Sequence, residues 1–142
     1  MRLSGYERRF LLLALALMPL AQVVVKILPL PRLMALFSLQ TVASDYQPAC
    51  SPENLAAIAS ARKVFRVIER KFFFWPGKCF AQALVARFFL RRQGVSCLLV
   101  LGARQFEDTP GQALQAHAWL KAGGQIVTGG DGRDYIPVAF FV

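Results

Sequence analysis

The sequence is poor in the groups that usually build metal sites and disulfide frameworks. It has one histidine, His117, and three cysteines, Cys50, Cys79 and Cys97. An odd number of cysteines with long gaps and no CxxC pair gives neither a disulfide scaffold nor a four-ligand zinc site. A mixed-ligand site would need a local spacing that is missing, so no metal and no cofactor are expected. The thiols read as reduced, which favours a cytoplasmic setting. Acidic residues are also scarce, eight against seventeen Lys and Arg, for a formal charge of +9. That excess suits an acidic partner: nucleic acid, an anionic lipid surface or an acidic peptide or protein. Neither an RNP-like aromatic pattern nor a helix-turn-helix signal is present, so nucleic acid is not expected. Internal repeats and low-complexity tracts are absent, and 142 residues fit one core.

No uncharged run reaches the roughly 20 residues of a membrane-spanning helix. The longest, Phe10 to Val25, follows basic Arg2, Arg8 and Arg9 and contains Pro19 and Gln22. A second apolar piece after Lys26 is broken by Pro29 and Pro31, and no A-x-A cleavage pattern follows. Three readings stay open: helices packed on the domain or a partner, association with a membrane surface, or a cleaved signal or true span. The polar stretch "SDYQPACSPENL" separates this apolar region, residues 1–43, from a domain spanning 44–142.

Within that domain, Ser51-Pro52-Glu53 reads as a helix start, with Ser51 as N-cap and a helix to about Lys71. Leu55, Ile58, Val64, Val67 and Ile68 form its apolar stripe, leaving Arg62, Lys63, Arg66 and Arg70 on a solvated face. A second helix runs from about Cys79 to Gln93 and closes on Gly94, where a left-handed cap is expected. "VSCLLVLGARQ" reads as a buried strand, and "LQAHAWLKAGGQIVTGG" as two strands about a Gly123-Gly124 turn. The order helix, helix, strand, hairpin predicts an α+β fold with helices on one face of a small antiparallel sheet.

A helix N-terminus offers unpaired N–H groups and partial positive charge, both of which favour a thiolate, and Lys78 adds a cation beside Cys79. Cys50 lies in the polar linker and Cys97 within the buried strand, where an apolar setting keeps a thiol inert. Taken alone, a cysteine at a helix start is more often structural. His117, on an alternating strand, is the one imidazole able to act as its base near neutral pH. Taken alone, it too has a plain reading as a hydrogen-bonded sheet residue. A third group should orient the ring, and Asp131 or Asp134 in "TGGDGRDY" follows on the return side of the hairpin.

The run "PGKCFAQALVARFFLRRQGVSCLLVLGARQ", followed by "AHAWLKAGGQIV" and the closing "DYIPV", resembles the transglutaminase-like cysteine proteases that remove leader peptides in lasso-peptide biosynthesis, the microcin-processing type among them. The resemblance covers residues 76 to 138, and the leucine-rich opening "YERRFLLLALALMPLAQVVVKILPLPRL" is similar to that family's retained N-terminus. It implies a transglutaminase-like, papain-like core with Cys79 as nucleophile, His117 as its partner and Trp119 as a packing residue. The acid would be Asp131, slightly displaced because Thr128, Gly129 and Gly130 occupy the preceding positions.

The resemblance also implies a cytoplasmic leader peptidase, the protease half of a split system. Its partners would be a precursor leader peptide, a separate leader-recognition protein and a lasso cyclase, with membrane-surface contact as a further possibility. Gln82 is the nearest side-chain amide to serve beside the Cys79 N–H as an oxyanion donor. Two other classes compete: a catalytically inactive transglutaminase-fold protein that binds a partner or membrane, and a basic binder of nucleic acid or lipid.

Overall fold

The computed structural model describes residues 2–44, 46–71, 78–104, 115–130 and 132–142. Four helices, α1 (Gly5–Ile27), α2 (Leu30–Leu36), α3 (Asn54–Lys71) and α4 (Lys78–Arg92), precede four strands, β1 (Leu98–Arg104), β2 (Gln115–Ala122), β3 (Gln125–Thr128) and β4 (Ile136–Phe141). The strands form one antiparallel sheet in the order β3-β2-β1-β4. This is the expected α+β arrangement, with one strand more than the sequence suggested. β4 was hidden because it is an edge strand whose Ile136, Pro137 and Val138 are exposed. Proline is tolerated at such an edge, where its missing N–H leaves no ladder bond unmade. The 40–42 segment in turn bonds the outside of β4, through Val42 N–H to the Phe140 carbonyl at 2.9 Å.

Alternation along β2 separates two layers. Ala118, Leu120 and Ala122 face the helices, whereas Trp119 packs on the opposite face with Leu98 and Val100. α4 is buried nearly all round, and its alanines 81, 83 and 86 have no exposed surface. Small side chains let neighbouring elements approach closely, so α4 is the central helix between α1, α3 and the sheet. Gly94 ends it at φ +76°, the left-handed conformation expected there, with its N–H bonded to the Arg91 carbonyl.

α1 runs through Pro19 and starts with a capping box: Ser4 Oγ accepts the Glu7 N–H and Glu7 accepts the Ser4 N–H. Its inner face puts Phe10, Ala14, Met18 and Ala21 into the same core as α3 and α4. Phe10 meets Phe65 edge-on at 6.0 Å and Phe89 at 4.4 Å between ring centroids. Its outer face leaves Leu12, Leu13, Leu20, Val23 and Ile27 exposed.

Three expectations for α3 are corrected. The helix begins at Asn54, after a turn through Pro52 and Glu53 in which the Asn54 N–H bonds the Ser51 carbonyl. Leu55 is exposed, and the buried stripe is Ile58, Ala61, Val64, Phe65 and Ile68. The basic face is only partly solvated: Arg62 donates to the Ile126 carbonyl at 2.9 Å and to Gln125, and Lys63 pairs with Glu7 at 2.8 Å. Cys97 is buried as expected but precedes β1 by one residue.

Seating α1 through one face makes an asymmetric prediction. Phe10→Ala should cost about 3–5 kcal/mol of global stability and Leu12→Ala less than about 0.5 kcal/mol, measured by urea denaturation. Equal losses at both positions would show that α1 is not held by this face.

Candidate active site

The site arises where the sheet runs out. β3 pairs with β2 only as far as Thr128 opposite Leu120. On that edge, the part of β2 from His117 to Trp119 has no partner strand among the described residues. α4 brings its N-terminal turn to this gap. The Cys79 sulfur there bonds the His117 side chain and accepts the backbone N–H groups of Ala118 and Phe80.

Burial works against a charged sulfur, but the His117 hydrogen bond and the two N–H donors outweigh it and hold the Cys79 thiol below its ordinary range. His117 moves the other way. Its bond to Cys79 raises its pKa, burial opposes this, and the Gly129 carbonyl and the negative charges of Cys79 and Glu69 add to the rise. A thiol that loses its proton early beside an imidazole that keeps it late is the condition for a thiolate–imidazolium pair. Cys97 offers the contrast: buried in the core, it is pushed up to about 12 despite Arg87 and Arg91 nearby. Cys50 is exposed.

The tautomer of His117 follows from its surroundings. Nε2 lies 2.5 Å from the Gly129 carbonyl oxygen. That oxygen can only accept, so Nε2 carries the proton and Nδ1 is the nitrogen left for Cys79. The ring is stacked on Tyr135 at 4.7 Å and 27° and on Trp119 at 5.9 Å and 29°. Arg104 sits over the Tyr135 ring at 5.1 Å.

Gly129 is required where it stands. Its φ is +84°, and a Cβ there would lie 2.4 Å from the Ala118 carbonyl oxygen. The Gly129 N–H is held by Glu69 Oε1 at 3.0 Å, from the last turn of α3.

Of the residues predicted from sequence, Cys79 and His117 are therefore together, and Trp119 is the buried packing residue beside them. Asp131 and the Lys78 side chain lie outside the described residues. Asp134 is exposed in the turn before β4, and no hydrogen bond joins it to His117. Gln82 is 1% exposed with its Nε2 unpartnered, so it lies on the buried face of α4. Sequence reasoning missed Tyr135, Gly129 and Glu69. A glycine right after a strand that stops short was the one local signal for Gly129. Among the described residues no cluster of His, Cys, Asp and Glu could hold a metal ion.

The chain matches the transglutaminase-like superfamily over residues 24–140, and it belongs to that superfamily. No curated protein and no solved structure matches it significantly. The superfamily includes cysteine proteases, and the fold described above agrees with that membership.

The geometry predicts the reactivity of Cys79. Iodoacetamide at neutral pH should label Cys79 and leave Cys97 untouched, with labelling read peptide by peptide in a mass spectrometer. His117→Ala should slow Cys79 labelling, because burial then favours the protonated thiol. Gly129→Ala should slow it too, since the forced φ costs about 1–3 kcal/mol and releases the imidazole. Unchanged labelling in both variants would show that the pair does not control the thiol.

Proposed function

We propose that this member of the transglutaminase-like superfamily is a cysteine peptidase that removes the leader peptide from a ribosomally made lasso-peptide precursor. The observation that carries the peptidase reading is the bond between Cys79 and His117, with the Cys79 thiol held low and the imidazole held high. The leader-peptide assignment is supported by the motif order around "PGKC", "RRQG" and "AHAW".

In the proposed reaction the Cys79 thiolate attacks the carbonyl carbon of the scissile amide. The oxyanion that forms takes the Cys79 backbone N–H, a donor fixed before reaction. As the C–N bond breaks, the His117 imidazolium gives its Nδ1 proton to the leaving amine, leaving a thioester on Cys79. Water then attacks the thioester and gives a proton to Nδ1, and the carboxylic acid product leaves, losing its proton to solvent, as the thiolate–imidazolium pair re-forms. Capture of the same thioester by an amine would give transamidation. The orienting role that the motif order implies for Asp131 is met at Nε2 by the Gly129 carbonyl.

Selecting one amide in a long leader requires contacts far from the reacting carbon, because remote binding energy is what positions a substrate. The described helices adjoin one sheet and share one principal core. We assign leader recognition to a separate leader-binding protein, with a lasso cyclase acting on the product. The formal charge of +9 would attract an acidic leader or partner.

One experiment tests these assignments together. A leader-bearing precursor should be cleaved slowly by this chain alone and at least about tenfold faster in kcat/KM with the leader-binding protein added. Cys79→Ala should abolish cleavage and Cys50→Ala retain it. Cleavage by Cys79→Ala near the wild-type rate would exclude the thiol mechanism, and equal rates with and without the partner would exclude its role.

α1 is long and apolar enough to cross a membrane, yet part of it is buried in the fold. We assign its exposed apolar face, with Arg8 and Arg9 exposed at its start, to the surface of an anionic membrane, the chain otherwise being cytoplasmic. Vesicles containing phosphatidylserine should sediment the protein, and Leu13→Glu combined with Leu20→Glu should release it. Failure of such vesicles to bind at low salt would leave the face to a protein partner.

A further inference from the structure

We propose that Glu69 is a positioning residue for His117, acting through the backbone of Gly129. Glu69 Oε1 accepts the Gly129 N–H at 3.0 Å, and the carbonyl of the same residue accepts His117 Nε2–H at 2.5 Å. A glycine at φ +84° has no side chain to hold it, so its orientation rests on what its two polar groups bond. With both ends held, the carbonyl is aimed at the imidazole, and the imidazole presents Nδ1 to Cys79.

The placement of Glu69 is unfavourable on local grounds. It lies in the last turn of α3 beside Arg70 and Lys71, where the helix dipole disfavours a carboxylate. Among the described residues it forms no salt bridge. Its bond to a backbone N–H is charge-assisted and joins positions 60 residues apart in the chain. Local rules broken without a local gain are expected at functional sites. A cavity of about 240 Å³ between α3 and β3 brings Arg62 and Arg66 to the same place as Glu69, so the carboxylate stands among cations that do not neutralise it by contact.

Among the described residues the ionisable groups around the imidazole are Cys79 from α4, Glu69 from α3 and Tyr135 before β4, with Arg104 of β1 over the Tyr135 ring. The Glu69 charge raises His117, which agrees with the geometry. Losing Glu69 should therefore let the Gly129 carbonyl turn and also weaken the imidazolium.

The inference rests on the Cys79–His117 reading, and the test separates the two. Glu69→Met keeps the length of the side chain and removes both acceptor and charge. Glu69→Gln keeps an oxygen for the Gly129 N–H and removes only the charge. In the full chain, with folding checked by circular dichroism, the rate of Cys79 alkylation is followed across pH, with exposed Cys50 in the same digest as an internal reference. Glu69→Met should slow Cys79 labelling at neutral pH about tenfold or more, the range for losing a group that orients a reactive side chain. Glu69→Gln should stay within about threefold of wild type, with the profile displaced to higher pH. Should the Met variant not fold, the near wild-type rate expected of the Gln variant carries the test, and a rate well below it overturns the proposal. A Met variant that matches wild type at every pH overturns it. So does a Gln variant as slow as the Met variant, because charge alone would then be at work. A wild-type Cys79 profile that coincides with that of Cys50 would overturn the Cys79–His117 reading and this one with it.

Discussion

The bond from His117 Nε2–H to the Gly129 carbonyl decides what the rest of the site can do. An imidazole has two nitrogens, and once one is committed as a donor to a carbonyl the other must be the base. Cys79 then has an acceptor for its proton, and the Ala118 and Phe80 N–H groups receive the charge that remains. The Ala118 N–H and the Gly129 carbonyl are available because β3 stops at Thr128. A longer β3 would have paired with Ala118 and closed the gap that the N-terminal turn of α4 occupies.

Cys79 is held from behind by packing rather than by local contacts. α4 is buried on nearly every side, so the position of its first turn is set by α1, α3 and the inner face of the sheet together. Arg87 adds a tie by donating to the carbonyls of Phe37 and Ser38, which leave α2 without helical partners. The guanidinium therefore joins the N-terminal helices to the helix that carries the nucleophile. The apolar N-terminal region, residues 1–43, and the stretch 44–142 share one core that includes residues from Phe10 to Phe141.

What could be read from the sequence was short in range. Gly94 as a cap, the Gly123-Gly124 hairpin and the alternating strand that carries His117 each rest on neighbours a few residues apart. Cys79 and His117 could be paired on chemistry alone, because each type is rare in the chain and one needs the other. The errors came where a competing local interaction or a distant one took over. Ser51 read as the helix start, but a turn through Pro52 and Glu53 comes first and the helix starts at Asn54, and Leu55 is exposed. Glu69 had no local signal at all, since it acts on a backbone N–H 60 residues away. Tyr135 needed the unforeseen strand β4 to fix the turn that brings its ring to His117.

His117 is the one histidine in the sequence, so its imidazole can be followed by nuclear magnetic resonance without assignment. Titrating it in the wild type and in Cys79→Ala measures the thiolate–imidazolium pair directly. The ring should hold its proton above the ordinary histidine pKa of about 6.5 in the wild type and lose it at a lower pH once the sulfur is gone. Identical titrations in the two proteins, both near the ordinary value, would contradict the pairing on which the reaction depends.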